Sequence, residues 1–282
     1  MDIQKIGIVG AGQMGSGIAQ VCAQAGLDVV LNDISEEAVQ RGIDRISASL
    51  ERMVRKDKLS ADEASAALAR IERGVASGSL AACDFVIEGA TENVQIKRDI
   101  LRQLDGVLQP GAIIATNTSS VSITMLAATL ANPARFIGMH FFNPVPMMEL
   151  IEVIRGIQTS DITFEATVAL ARRIGKTAID VRNSPGFAVN RILVPMINEA
   201  VFVLQEGIAS AEGIDAGMKL GANHPIGPLA LADLIGLDTV LAIMKVLYRD
   251  FNDPKYRPAA LLKEMVDAGY LGRKNGRGFY TY

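Results

Sequence analysis

The stretch Lys5-Ile6-Gly7-Ile8-Val9-Gly10-Ala11-Gly12-Gln13-Met14-Gly15 decides the fold. A β-type apolar run ends in a Gly-x-Gly-x-x-Gly turn that opens a helical segment, the arrangement that brings backbone N–H groups against a pyrophosphate. Working outward, Asp28–Asn32 reads as the second strand, and Asp33 closes it about 20 residues beyond the last glycine, the interval at which a dinucleotide site places its ribose-binding carboxylate. A carboxylate there accepts hydrogen bonds from ribose hydroxyls and repels a 2′-phosphate. The expected cofactor is therefore NAD rather than NADP, bound by Gly10, Gly12, Gly15 and Asp33.

Further along, Phe85–Glu88, Ala112–Thr116, Phe136–His140, Glu149–Ile154 and Thr177–Val181 read as strands, with helical stretches filling most intervals. This is an α/β pattern, a Rossmann-type doubly wound, mostly parallel sheet. Phe141–Met148 is too short for the dozen or more residues of a parallel crossover, so the chain is expected to turn back antiparallel there. Residues 35–70 read as an inserted helical hairpin whose second arm starts at a capping box, Ser60 with Glu63. Its first arm carries Arg41, Arg45, Arg52, Arg55, Lys56 and Lys58, a basic strip that suits an anionic ligand and equally suits a solvated face. Pro185 and Gly186 punctuate the pattern, and the chain beyond them has helical period. The expected domains are 1–184, an NAD-binding Rossmann domain, and 185–282, an all-helical C-terminal substrate and dimerisation domain. Phe187–Leu204 is apolar around most of its circumference, as in a helix buried in an interface.

With 282 residues, 49% hydrophobic and 21% charged, and a net charge of −3, the chain has the make-up of a globular protein and lacks the basic excess of a nucleic-acid binder. Cys22 and Cys83 cannot build a disulfide scaffold and have no zinc-type spacing around them, so no metal is expected. No run approaches the roughly 20 apolar residues of a membrane span, and the first residues lack a signal-peptide core. A soluble, cytoplasmic protein is expected.

A nicotinamide cofactor needs a protein group that accepts the alcohol proton. Of the two histidines, His140 ends a strand where an open α/β sheet has its ligand crevice, a position that fits a base or a structural histidine, whereas His224 reads as a turn residue. Glu152, between Ile151 and Val153, needs a partner if buried, and His140 is the available one; Glu149 falls on the opposite strand face.

Five segments, Gly10–Gly15, Glu88-Gly89-Ala90-Thr91-Glu92-Asn93, Asn117-Thr118-Ser119-Ser120, His140-Phe141-Phe142-Asn143-Pro144-Val145-Pro146 and Pro185-Gly186-Phe187-Ala188-Val189-Asn190-Arg191, resemble the L-3-hydroxyacyl-CoA dehydrogenase family over essentially the whole chain. Its length and its ending, Gly272–Tyr280, are similar to those of the bacterial 3-hydroxybutyryl-CoA dehydrogenases. The resemblance implies reversible, NAD-dependent oxidation of (S)-3-hydroxybutyryl-CoA or another short-chain (S)-3-hydroxyacyl-CoA to acetoacetyl-CoA or the corresponding 3-oxoacyl-CoA. It makes His140 the general base and Glu152 its orienting partner, with Ser119 and Asn190 on the reacting oxygens of the substrate. It places Glu92, Lys97 and Asn117 around the NAD ribose and nicotinamide, Lys56 on the nucleotide phosphates of the CoA, and a homodimer contact on the C-terminal domain. Dehydrogenases that use a lysine on the interdomain helix fit less well, because Phe187–Glu206 contains no Lys; a non-catalytic dinucleotide binder would have no need to keep Ser119, His140, Glu152 and Asn190 together.

Overall fold

The computed structural model describes residues 2–282. The chain divides into two compact units, one ending at Asn183 and the other spanning Ser184–Tyr282.

The first unit is an eight-stranded sheet: β1 Lys5–Val9, β2 Asp28–Asn32, β3 Ile71–Gly74, β4 Phe85–Glu88, β5 Ile113–Thr116, β6 Phe136–Phe141, β7 Leu150–Arg155 and β8 Thr177–Arg182. Its order is β3-β2-β1-β4-β5-β6-β7-β8, all neighbours parallel except the antiparallel pair β6–β7. Strands covered on both faces need apolar residues in succession, and Phe85, Val86 and Ile87 of β4 are all fully buried. The expected strands form with ends moved by at most one residue, and the short loop between β6 and β7 turns the chain back as its length requires. Strand β3 has no counterpart among the expected ones. Ile71-Glu72-Arg73-Gly74 carries two charges and pairs only with β2, the composition an edge strand tolerates.

Six helices belong to this unit: α1 Gln13–Gln24, α2 Glu36–Val54, α3 Ala61–Ala69, α4 Val94–Val107, α5 Ile123–Ala127 and α6 Asp161–Arg173. The pair α2–α3 is the expected hairpin. Helix α2 buries Val39, Gly42, Ile46 and Leu50 at helical spacing, with Ser35 capping its first turn. The Ser60–Glu63 capping box opens α3, each side chain bonding the other's backbone N–H.

The second unit holds α7 Val189–Gln205, α8 Ala211–Gly221, α9 Pro228–Ile235, α10 Leu237–Phe251 and α11 Ala260–Asp267. Val194, Ile197 and Val201 of α7 pack into a core with Leu229, Leu237, Val240, Met244 and Leu247. Helix α7 is not buried all round, since Ile192 is 74% exposed. Nor is the unit purely helical: its last residues form short antiparallel bridges, Gly272 with Arg277 and Arg277 with Thr281. A buried carboxylate ties this tail down. Asp233 accepts hydrogen bonds from the backbone N–H groups of Phe279 and Tyr280, both at 2.9 Å, and from the Tyr282 hydroxyl at 3.1 Å. Asp215 does likewise for α9, accepting from Leu229 N, Ala230 N and the Tyr280 hydroxyl, and burial together with Asp215 pushes the Tyr280 pKa up. No helix among the described residues is long and apolar enough to cross a membrane.

Replacing Asp233 by Ala leaves the part-buried N–H groups of Phe279 and Tyr280 without their acceptor, and each such loss costs about 1–3 kcal/mol. Urea unfolding of Asp233→Ala should show stability lowered by at least that amount; an unshifted midpoint would show that the tail does not contribute to stability.

Candidate active site

Parallel strands β1, β4, β5 and β6 are neighbours, so their carboxyl ends lie along one edge of the sheet. Backbone bonds continue the ladder beyond the strands: Gly10 N–H donates to Asn32 O, Gly89 N–H to Val9 O and Asn117 N–H to Glu88 O, at 2.7–2.9 Å. The three loops that leave the sheet here are thereby set side by side.

The first loop is the glycine turn. Gly10 has φ +100° and lies so close to Ala90 that a Cβ would come within 2.7 Å of its Cα. A Cβ on Gly15 would collide with the Gly10 carbonyl, so α1 can pack against the turn only with glycine there. Gly12 is different: a Cβ built on it meets nothing within 4 Å, and it is the N-cap of α1, whose first turn has no side-chain cap. Open space in front of uncapped helix N–H groups fits a pyrophosphate. Asp33 stands beside it, its Oδ2 accepting from Ala11 N at 2.6 Å and its Oδ1 from Ile34 N at 2.7 Å. The carboxylate is thus oriented from within the loop, and its remaining lone pairs suit ribose hydroxyls. The residues present fit NAD.

The second and third loops are held by two carboxylates. Glu88 ends β4 with no solvent exposure and accepts from Lys97 Nζ at 2.7 Å, Thr116 Oγ1 at 2.7 Å and Ala90 N at 3.0 Å. Such a pair is costly to bury but costlier to break. Lys97 is itself only 1% exposed, with its Nζ 4.0 Å from Glu92. Glu92 accepts from Thr118 Oγ1 at 2.6 Å, Ser119 N at 2.8 Å and Ser119 Oγ at 2.9 Å. Lys97, Glu92 and Ser119 therefore form one chain of contacts. Asn117 joins that chain to β6, its side-chain oxygen accepting from Phe141 N at 2.8 Å.

Beside Phe141, His140 sits directly opposite Glu152 in the antiparallel ladder of β6 and β7, so both side chains project from the same face. His140 Nδ1 is 2.8 Å from Glu152 Oε2; the imidazole is nearly buried and the carboxylate fully so. An ionised carboxylate only accepts, which puts the proton on Nδ1 and makes Nε2 the basic nitrogen of the ring. The Phe142 ring lies 4.7 Å from the imidazole, centroid to centroid. Glu149 is exposed and precedes β7, one residue outside the strand in which it was expected.

Asn190, expected on the substrate, is the second residue of α7, in the other unit. Lys56 is exposed just past the end of α2. Of the basic strip, Arg45 donates to the Ala11 carbonyl at 3.0 Å and, with Arg52, borders a groove of about 450 Å³ that also touches Gln13, Asn143 and Pro144. His224 lies in the connection between α8 and α9. Sequence reasoning gave no role to Glu88, Thr116 or Thr118. For Glu88 the signal was available, a carboxylate closing an apolar strand, the same pattern that singled out Glu152.

Comparison with known proteins identifies the family. The model of the 3-hydroxyacyl-CoA dehydrogenase NAD-binding domain matches residues 5–184, and that of the 3-hydroxyacyl-CoA dehydrogenase C-terminal domain matches residues 186–282. The 3-hydroxybutyryl-CoA dehydrogenase of Bradyrhizobium diazoefficiens is 54% identical over 99% of this chain and 96% of its own. Among solved structures, (S)-3-hydroxybutyryl-CoA dehydrogenase from Ralstonia eutropha is 61% identical with a TM-score of 0.97, covering 100% of this chain and 99% of its own. Mycobacterium tuberculosis FadB2 is 41% identical with a TM-score of 0.98, covering both chains fully. With a glycine turn built for a dinucleotide and a buried histidine–carboxylate pair on the same sheet edge, the chain belongs to the 3-hydroxyacyl-CoA dehydrogenase family and is an NAD-dependent oxidoreductase.

Proposed function

We propose that the protein interconverts (S)-3-hydroxybutyryl-CoA, or a similarly short (S)-3-hydroxyacyl-CoA, and its 3-oxoacyl-CoA. The observation that carries this reading is the His140 Nδ1 to Glu152 Oε2 contact of 2.8 Å at the carboxyl end of the sheet. Bound NAD supplies the hydride acceptor for oxidation and, as NADH, the donor for reduction. In oxidation His140 Nε2 takes the hydroxyl proton, and in reduction the imidazolium returns it. Glu152 holds the ring in the required tautomer and stabilises its charged form. Ser119 and Asn190 hydrogen-bond the reacting oxygens, and Glu92, Lys97 and Asn117 serve the nicotinamide and ribose side. Glu92 places Ser119 through both its backbone and its hydroxyl. Lys97, turned inward onto Glu88, acts by fixing that carboxylate and, from 4.0 Å, Glu92.

The basic end of α2 is the proposed seat of the CoA phosphates, with Lys56 as a contact and the groove bordered by Arg52 beside it. The second units of two copies form the proposed dimer interface, since α7 leaves Ile192 exposed and keeps Leu193, Met196 and Phe202 only partly buried. CoA thioesters and NADH are both present in the cytoplasm, which is the proposed location.

Purified protein should oxidise NADH, followed by its near-ultraviolet absorbance, with acetoacetyl-CoA but not with acetoacetate, and far more slowly with NADPH. His140→Ala should lower kcat by roughly 10²–10⁴-fold. Glu152→Gln should lower kcat while leaving NADH affinity unchanged; loss of NADH binding would instead assign Glu152 to folding or to the cofactor. Turnover of the free acid at the rate of the thioester would overturn the substrate class.

Lys56→Ala should raise the KM for acetoacetyl-CoA by about tenfold, the scale of one charge-assisted hydrogen bond, and leave the KM for the pantetheine thioester alone. Equal effects on both substrates would remove Lys56 from the phosphates. In sedimentation equilibrium the protein should run as a dimer that Ile192→Glu weakens, and a monomeric wild type would end the interface proposal.

A further inference from the structure

Lys176 is a buried cation outside the dyad, the cofactor turn and the Glu88 cluster. It is 8% exposed, and its ammonium donates to two backbone carbonyls, Val145 O at 2.7 Å and Met148 O at 2.8 Å. Those carbonyls belong to the loop that leaves β6 just after His140 and enters β7 just before Glu152. Burial pushes the Lys176 pKa down, opposed by nearby Glu149. A desolvated ammonium here is warranted only if its two acceptors matter.

The lysine is itself firmly based. Helix α6 ends with Gly175 at φ +73°, Gly175 N–H donating to Arg172 O and Lys176 N–H to Ala171 O, a Schellman closure that fixes the Lys176 backbone. The next residue, Thr177, donates its N–H to Glu149 O at 2.8 Å, holding the loop's far end. On its other side the same loop leans on α1. Val145 is 3% exposed and packs against Gly17, and Gln13 Nε2 donates to Asn143 Oδ1 at 3.0 Å. Gln13 lies within the glycine turn, and Phe142 lies on the imidazole. The loop thus joins the cofactor turn to the catalytic ring, with Lys176 bonding its underside.

We infer that Lys176 is a positioning residue for catalysis: by holding the Val145 and Met148 carbonyls it fixes the loop that sets the His140 imidazole. This inference rests on His140 being the proton acceptor. Although the loop also meets Gln13, neither carbonyl belongs to a residue proposed to contact the cofactor, which makes NADH affinity the control.

The experiment pairs kinetics with a direct view of the ring. The chain has 2 histidines, so isotope-labelled histidine gives NMR signals from His140 and His224 alone. Lys176→Met removes the donors at similar volume, and Lys176→Arg restores donors. In Lys176→Met the His140 ring signals should shift or broaden while those of His224 stay, and kcat per NADH-binding site should fall by about tenfold, since misplacing a reacting group is costly. NADH affinity should be unchanged, and Lys176→Arg should recover both the signals and most of the turnover. Folded Lys176→Met with unaltered His140 signals would overturn the inference, as would a loss of NADH affinity that parallels the loss of turnover. Should Lys176→Met not fold, Lys176→Gln and Lys176→Arg are compared by the same two criteria. A wild type inactive on acetoacetyl-CoA would remove the proposed reaction, and the His140 signals would still decide whether Lys176 sets the ring.

Discussion

A carboxylate taken out of water must be given donors, and much of this protein is arranged around that requirement. Glu152 is fully buried and meets His140; Glu88 is fully buried and meets Lys97, Thr116 and Ala90; Asp233 is 1% exposed and meets Phe279, Tyr280 and Tyr282. Each carboxylate draws together segments distant in sequence. The Glu152 pair joins two strands, the Glu88 cluster joins two strands, a loop and a helix, and Asp233 holds residues 279–282.

These clusters differ in what they leave over. Lys97 and Thr116 both turn inward onto Glu88, which makes that assembly a support. In the Glu152 pair the carboxylate faces Nδ1, so a ring protonated there has its basic nitrogen at Nε2. Glu92 stands between these cases, since it is accessible enough to meet a ligand yet already engaged by Thr118 and Ser119. Burial and access are therefore graded across one sheet edge, from Glu88 in the interior at the end of β4 to the open space before Gly12.

How much of this was legible in the sequence depends on the kind of constraint. The glycine turn was, because φ > 0 at Gly10 and contact distance at Gly15 admit nothing else. His140 with Glu152 was, because a carboxylate flanked by β-branched residues advertises its own burial. Edge strand β3 was not, since Ile71-Glu72-Arg73-Gly74 has the composition of a loop and its ladder to β2 is made by backbone groups. The inward turn of Lys97 was not, because a lysine on an amphipathic helix reads as solvated; only the partner across the fold reveals it. Lys176 was invisible for the same reason, its acceptors being backbone carbonyls that carry no sequence signal.

The dyad depends most on a length. Phe141 pairs with Ile151 and His140 with Glu152, so the intervening loop fixes which residue of β7 faces the imidazole. A parallel return would have demanded a long crossover and put the amino end of the next strand at the far side of the sheet. Because side chains alternate, a slip of one residue would turn Glu152 to the other face and bring Ile151 or Val153 opposite the base. The register therefore matters to the proposed dyad as much as either side chain, which fits a loop held at so many points: Asn143 by Gln13, Val145 against Gly17 and by Lys176, Met148 by Lys176, and Glu149 by Thr177. A hairpin loop that only connected strands would need none of these anchors; one that must keep a buried carboxylate on its histidine needs most of them.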